Sequence, residues 1–223
     1  MPAAVVPLKS ASPRDALLDW FQMLSGVGLV LFMWCHMLLL SSSIFGAGAF
    51  DAVAGFLEDT GLAQVGGPLV FCLFLAHFLL AARKIPFTAG GWSTAAGHMI
   101  GLRQRDTLLW GAQVVTGLGI LVMGSIHLWV VLNDLPIGAV KSGLRASLGG
   151  WPAFYVLFLP VIELHLWIGL YRMGVKWGFV TKENRAKTVK ILAALFVVFW
   201  IVGILASRSL IAAAGEPGVA VSM

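Results

Sequence analysis

The sequence predicts an all-α membrane protein, a bundle of five transmembrane helices plus a short interfacial helix, and three observations carry that prediction. Of the 223 residues, 59% are apolar and only 11% charged, against ~25% charged in soluble domains. The mean hydropathy is +0.92. The apolar residues gather into five runs, each near the ~20 residues that cross a bilayer, separated by polar, glycine- or proline-bearing breaks. Five crossings use most of the length, so residues 1–223 are expected to form a single transmembrane domain.

The first span, residues 17–45, follows Ser12-Pro13-Arg14-Asp15, which reads as a hydroxyl cap, a proline in the first turn and an early acid. It contains His36 and is too long for a signal h-region, so no cleaved leader is expected. A polar, glycine-bearing loop with Asp51, Glu58 and Asp59 leads to Pro68, the expected start of the second and shortest span, residues 67–83, which holds His77 and ends at Arg83-Lys84. From Pro86 to Arg105, with Trp92, His98 and Arg103, the pattern is too broken to cross and suits a short interfacial helix. The third span, residues 106–132, carries His127 and stops at Asn133-Asp134-Leu135-Pro136. A loop with Lys141 and Arg145 precedes the fourth, residues 152–175, which contains Glu163-Leu164-His165. The basic segment Lys182, Arg185, Lys187, Lys190 introduces the fifth, residues 188–207. No internal repeat or low-complexity tract stands out.

The net charge of +5 and pI near 9.6 are a matter of topology. Alternating the loops puts Lys9, Arg14, Arg83, Lys84, Arg103, Arg105, Arg172, Lys176, Lys182, Arg185, Lys187 and Lys190 on one side, against Lys141, Arg145 and Arg208 on the other. That places the N-terminus in the cytoplasm and excludes a nucleic-acid partner, for which no accompanying motif exists. Cys35 and Cys72 lie in apolar runs without a C-x-x-C-H, which argues against disulfide and covalent-haem chemistry.

Four of the five histidines fall singly in four of the five spans. Buried ionisable groups are costly in a bilayer, and an even set of imidazoles suits two haems with two axial ligands each. His36 comes 19 residues after Leu17 and His127 comes 20 after Thr107, which at ~1.5 Å per residue sets both roughly 30 Å from the inner start. His77 precedes Arg83 by six residues and His165 precedes Arg172 by seven, about 10 Å from the inner ends. His36 therefore pairs with His127, and His77 with His165. The two sites would lie roughly 20 Å apart or less by the same rise. Gly28, Gly117, Gly124 and Gly169 recur at helical spacing from the histidines of their own helices and are expected to make room for flat macrocycles there. Glu163 points about 200° around the helix from His165 and away from that haem; a buried carboxyl there is either a proton relay or hydrogen-bonded to a neighbouring helix.

Five spans with His36, His77, His127 and His165 at this spacing, His98 left over as a non-ligand, and the Glu163-Leu164-His165 triplet on the fourth span resemble the dihaem cytochrome b subunits of the succinate:quinone oxidoreductase superfamily, in particular the single-chain anchors of menaquinol-dependent fumarate reductases. The resemblance covers nearly the whole chain and implies two haem b groups with the same pairing. It implies Glu58 as the outer carboxylate that accepts the proton from menaquinol, and Glu163 as the transmembrane proton-path glutamate. Gln22, Trp110 and Lys176 fall where haem propionates are contacted, and Arg145 near such a place; all four also suit interface anchoring. The first outer loop is shorter than in some relatives. The resemblance further implies a bacterial inner (cytoplasmic) membrane location and cytoplasmic partners, an iron-sulfur subunit and a FAD-containing flavoprotein subunit holding the dicarboxylate site. Physiological direction and dimerisation of the heterotrimer stay open, and succinate:menaquinone reductase is the same machine reversed. The competing classes are an anchor of another respiratory oxidoreductase, where ligands tend to share helices, and a proton-coupled transporter without cofactor.

Overall fold

The computed structural model describes residues 12–102 and 104–215; Lys9 and Arg103, used above for topology, lie outside the described residues. Eight α-helices follow in order: α1 Pro13–Ser42, α2 Ala47–Asp59, α3 Leu62–Ala82, α4 Ala89–Leu102, α5 Arg105–Leu132, α6 Ala139–Ser147, α7 Trp151–Lys176 and α8 Arg185–Ala214. Five are long and apolar enough to span a membrane, with α1 extended to Phe45 by a single 3-10 turn. The chain is an integral membrane protein. Ser12 caps α1 as its sequence predicts, its Oγ accepting from the Asp15 backbone N–H at 3.2 Å. Large apolar side chains such as Leu38, Leu79, Trp129 and Val156 turn outward, where lipid replaces water as their solvent.

Three expectations about the connections need correction. The polar loop before the second span contains α2, whose Phe50 and Ala54 sit one turn apart and pack inward, so that an amphipathic period was concealed by four glycines between 46 and 61. Only Gly46 and Gly61 among them hold left-handed backbone, at φ 116° and 72°, and they end the turn on either side of the helix. Pro68 does not begin the second span, because α3 starts at Leu62 and runs through it; a proline there removes one backbone hydrogen bond and leaves the rest of the ladder in place. The loop after the third span contains α6. Short helices among the described residues thus number three, α2, α4 and α6, where one was expected. The last helix also outruns its expected end at 207, reaching Ala214.

The spans form two close pairs. α1 packs along α3 and α5 along α7, with lesser contact between the pairs, while α8 lies outside against α7 and α1. At the end of the bundle opposite the start of α1, the outer end on the expected topology, α2 and α6 cover the helices, and α6 lies directly on α8 because Gly143 has no side chain; a methyl group there would overlap the Leu210 carbonyl. Around this contact sits a cluster of buried residues, Leu39, Phe50, Ala54, Ala139 and Leu210. The middle of the bundle is different: between the two pairs runs a cavity of about 1170 Å³.

Candidate haem-binding cavity

All four span histidines line that cavity, one from each of α1, α3, α5 and α7. His36 and His127 face each other across the gap between the helix pairs, ring centres 6.1 Å apart and planes 74° apart. Two imidazoles bound to one metal at about 2 Å per bond, with roughly 1 Å more to each ring centre, stand about 6 Å apart. Phe32 stacks on His36 at 5.7 Å, and Tyr155 and Phe158 flank His127 at 5.9 and 5.7 Å. The Tyr155 hydroxyl lies 3.4 Å from His127 Nδ1.

Further in, His77 and His165 each rest against a helix that has a glycine at the contact. Gly26 of α1 faces the His77 ring and Gly117 of α5 faces the His165 ring, and an added Cβ would come within 3.1 Å of Cε1 in both places. In both places the glycine faces the histidine of a neighbouring helix. Gly28 meets Leu73, Gly124 meets Ile120 and Phe74, and Gly169 meets Gln113, because a side-chain gap is filled by whatever the neighbouring helix presents at that depth.

The nitrogens behind these rings are held by hydroxyls. Ser25 Oγ lies 3.1 Å from His77 Nδ1, and Thr116 Oγ1 lies 3.1 Å from His165 Nδ1. Gln113 Nε2 stands 3.1 Å from the His165 carbonyl and 3.2 Å from its Nε2. Ser25, Gln113, Thr116 and Tyr155 all escaped notice in the sequence. A signal existed: Gln22 to His36 and Gln113 to His127 share the pattern Gln-x-x-Ser/Thr-Gly-x-Gly, then seven residues, then His. An internal repeat is present after all.

Of the remaining candidates, Gln22, Trp110, Arg145 and Lys176 line the cavity, and Glu58 and Glu163 do not. The oxygens Gln22 Oε1 and Gln113 Oε1 are buried without a hydrogen-bond partner among the described residues. Lys176 is engaged by Asp19, whose carboxylate also meets Arg83 at 2.6 Å and Lys84 at 2.7 Å, tying the inner ends of α1, α3 and α7. Asp19 was likewise missed.

Glu163 is 1% exposed and accepts from the Trp167 indole N–H at 2.7 Å; its partner belongs to its own helix, not to a neighbouring one. Trp167 in turn lies edge-on to Phe199 of α8, on the side away from the cavity.

On the outer side Glu58 is half-buried and Asp59 exposed. The Ile137 backbone N–H donates to Glu58 Oε1 at 3.0 Å, and the Gln64 amide donates to Oε2. Leu57, Leu62, Ala63 and Ile137 around it line the outer mouth of the cavity. Asp51 accepts from the Ala139 N–H at 2.7 Å and so starts α6.

Asp134 binds Arg145 and, at 2.8 Å, Lys141. Burial alone would raise its pKa, but the two cations outweigh burial and hold it below the ordinary carboxylate value. Its folded pKa being the lower one, the stabilisation is present above the unfolded value of ~3.9 and fades as pH falls through the folded value. Asp134→Asn is thus expected to lower the melting temperature modestly at pH 7, with the gap to wild type closing below about pH 4 in detergent-solubilised protein.

The donor set is selective. Among the described residues no three His, Cys, Asp or Glu side chains converge, so the protein offers imidazoles two at a time. A zinc or non-haem site needs more protein ligands than that. A haem brings its own equatorial nitrogens and fits two opposed imidazoles in a cavity whose helices present glycine beside the inner rings. The cavity also exceeds the ~300–1,000 Å³ of a pocket for one ligand.

Fold and site together define a class: a membrane-embedded helical bundle that presents one imidazole per helix into a shared transverse cavity. Residues 94–205 match the succinate dehydrogenase/fumarate reductase transmembrane subunit family. The chain is 36% identical over 213 residues to the fumarate reductase cytochrome b subunit of Wolinella succinogenes, an alignment covering 90% of this chain and 83% of that one. It is 33% identical over 198 residues to the fumarate reductase cytochrome b subunit of Helicobacter pylori, covering 85% and 78%. This chain belongs to the succinate dehydrogenase/fumarate reductase transmembrane subunit family.

Proposed function

We propose that the chain is the dihaem cytochrome b anchor of a menaquinol:fumarate reductase in the bacterial cytoplasmic membrane, with its N-terminus in the cytoplasm. The observation that carries this reading is the opposition of His36 and His127 across the helix pairs at 6.1 Å, with His77 and His165 lining the same cavity. His36 and His127 would hold the outer haem b, His77 and His165 the inner one. Bound there, the two groups supply one-electron transfer between the outer side and the cytoplasmic face.

The chain's own residues then have distinct tasks. Glu58, held by Ile137 and Gln64 beside the cavity mouth, takes the proton that menaquinol releases; its adjacent acid Asp59 faces solvent. Gln22, Trp110 and Lys176 at the inner end and Arg145 at the outer end offer donors to anionic groups on the haem edges. Glu163, buried and turned toward α8, is the proton-path candidate. The iron-sulfur and flavoprotein subunits would bind on the cytoplasmic face and carry the dicarboxylate chemistry, and the reverse reaction, succinate:menaquinone reduction, uses the same residues. Location of the ligands on four separate helices favours this reading over other bis-histidine anchors.

The purified complex should show b-type bands in a reduced-minus-oxidised spectrum, with two haems per chain by haem extraction. A spectrum without such bands would leave the transporter alternative and sink this one.

A further inference from the structure

Resting on the haem reading above, we infer that Ser25 and Thr116 are positioning residues that hold His77 and His165 in the tautomer with a proton on Nδ1 and the lone pair on Nε2, the same nitrogen of both inner imidazoles being the one a haem iron would take. A hydroxyl has one hydrogen to give. Ser25 Oγ already donates it to the Gln22 carbonyl at 3.0 Å, and Thr116 Oγ1 donates to the Ala112 carbonyl at 2.7 Å. Thr116 Oγ1 has the Gln113 carbonyl at 3.3 Å as a second acceptor. With the hydroxyl hydrogen kept by a helix carbonyl, each oxygen is the acceptor in its contact to His77 Nδ1 or His165 Nδ1, 3.1 Å in both, and the imidazole N–H sits on Nδ1.

The other side of His165 agrees independently. The Gln113 amide has two hydrogens and two acceptors within reach, the His165 carbonyl at 3.1 Å and His165 Nε2 at 3.2 Å. An N–H that faces Nε2 requires a lone pair there.

The device occurs twice. Ser25-Gly26 on α1 and Thr116-Gly117 on α5 are the same pair of positions in the repeat that ends at His36 and at His127. In each copy the hydroxyl fixes the nitrogen and the following glycine lets the ring lie flat against the helix. The histidine it serves belongs to the partner helix of its own pair, α3 or α7. At His127 the Tyr155 hydroxyl has no carbonyl to bind among the described residues, so the outer pair lacks this fixed direction.

A hydrogen bond accepted from Nδ1–H makes the imidazole a stronger donor to a bound metal and favours the ferric state. Ser25→Ala and Thr116→Val, two changes far apart in sequence, should each raise the midpoint potential of the same haem, the inner one, and leave the outer haem unmoved. Haem content stays at two per chain, and Ser25→Thr restores the wild-type potential. The measurement is a redox titration of b-band absorbance in the intact complex, with the inner component identified by its loss in His77→Ala.

Unchanged potentials in both variants, or a shift in the outer component, would overturn the inference while the haem reading stands. Loss of the inner haem in Ser25→Ala with normal potential in Ser25→Thr supports it, since a hydroxyl alone makes the difference. A wild-type complex without two b haems removes the haem reading itself, and this inference with it.

Discussion

Replacement of His165 by alanine is expected to halve the haem content, from two b-type groups per chain to one, and to leave the survivor with its wild-type potential. His165 and His77 line the inner part of the cavity, whereas the outer pair, His36 and His127, is already opposed at 6.1 Å and touches neither of them. On the proposed function, loss of one imidazole would remove one of the two protein ligands to the inner group, and no group of three or more His, Cys, Asp or Glu converges among the described residues to replace it. Haem extraction and a redox titration read the result directly. His36→Ala should remove the complementary component; if both variants removed the same one, the assignment of pairs would be wrong. Menaquinol-driven fumarate reduction should stop in each case, because on the proposed function the two groups would act in series.

The second large effect concerns Glu58. Glu58→Gln should lower menaquinol oxidation by roughly 10²- to 10⁴-fold, the range for loss of a general base, with both haems present at wild-type potentials. The amide oxygen of glutamine can still accept from the Ile137 N–H, and a turned Gln64 amide can accept from the new N–H, so the cap keeps its contacts and the loss reflects proton transfer. Fumarate reduction driven by a soluble donor that reduces the iron-sulfur subunit directly should be unaffected. Asp59→Asn, at an exposed neighbour with no such contacts, serves as the control and should retain full turnover. Undiminished quinol oxidation in Glu58→Gln would exclude this carboxylate from the site.

The spans were legible because the bilayer imposes one crude rule, a long apolar run per crossing, and four of the five runs carry a single histidine. The rise along a helix was enough to bring His36 level with His127. What was not legible depended on contacts between helices. Glycine density around α2 looks like a loop, yet Phe50 and Ala54 find a surface on α6 and α8 that no local pattern announces. Pro68 looks like a helix start, and in isolation would be one, but a membrane helix keeps its backbone bonds wherever it can. That Gly26 and Gly117 face His77 and His165 was hidden for the same reason: sequence spacing gives depth along one helix and says nothing of which neighbour stands opposite. Ser25 and Thr116 were hidden as ordinary small residues until the rings beside them came into view.

The division of the spans into two close pairs has a consequence for how such a protein comes into being. Each pair is an antiparallel hairpin, α1 with α3 and α5 with α7, and each holds one inner imidazole by its own hydroxyl without help from the other hairpin. A ribosome can release the first hairpin into the bilayer and have it oriented before the second has been made. On the proposed function each ligand pair would take one histidine from each hairpin, so a bound haem would act as a cross-link between the two leaves. The helices already join the halves, with α3 on α5 and α8 bridging α1 and α7, so the prosthetic group would lock a contact that the polypeptide has begun.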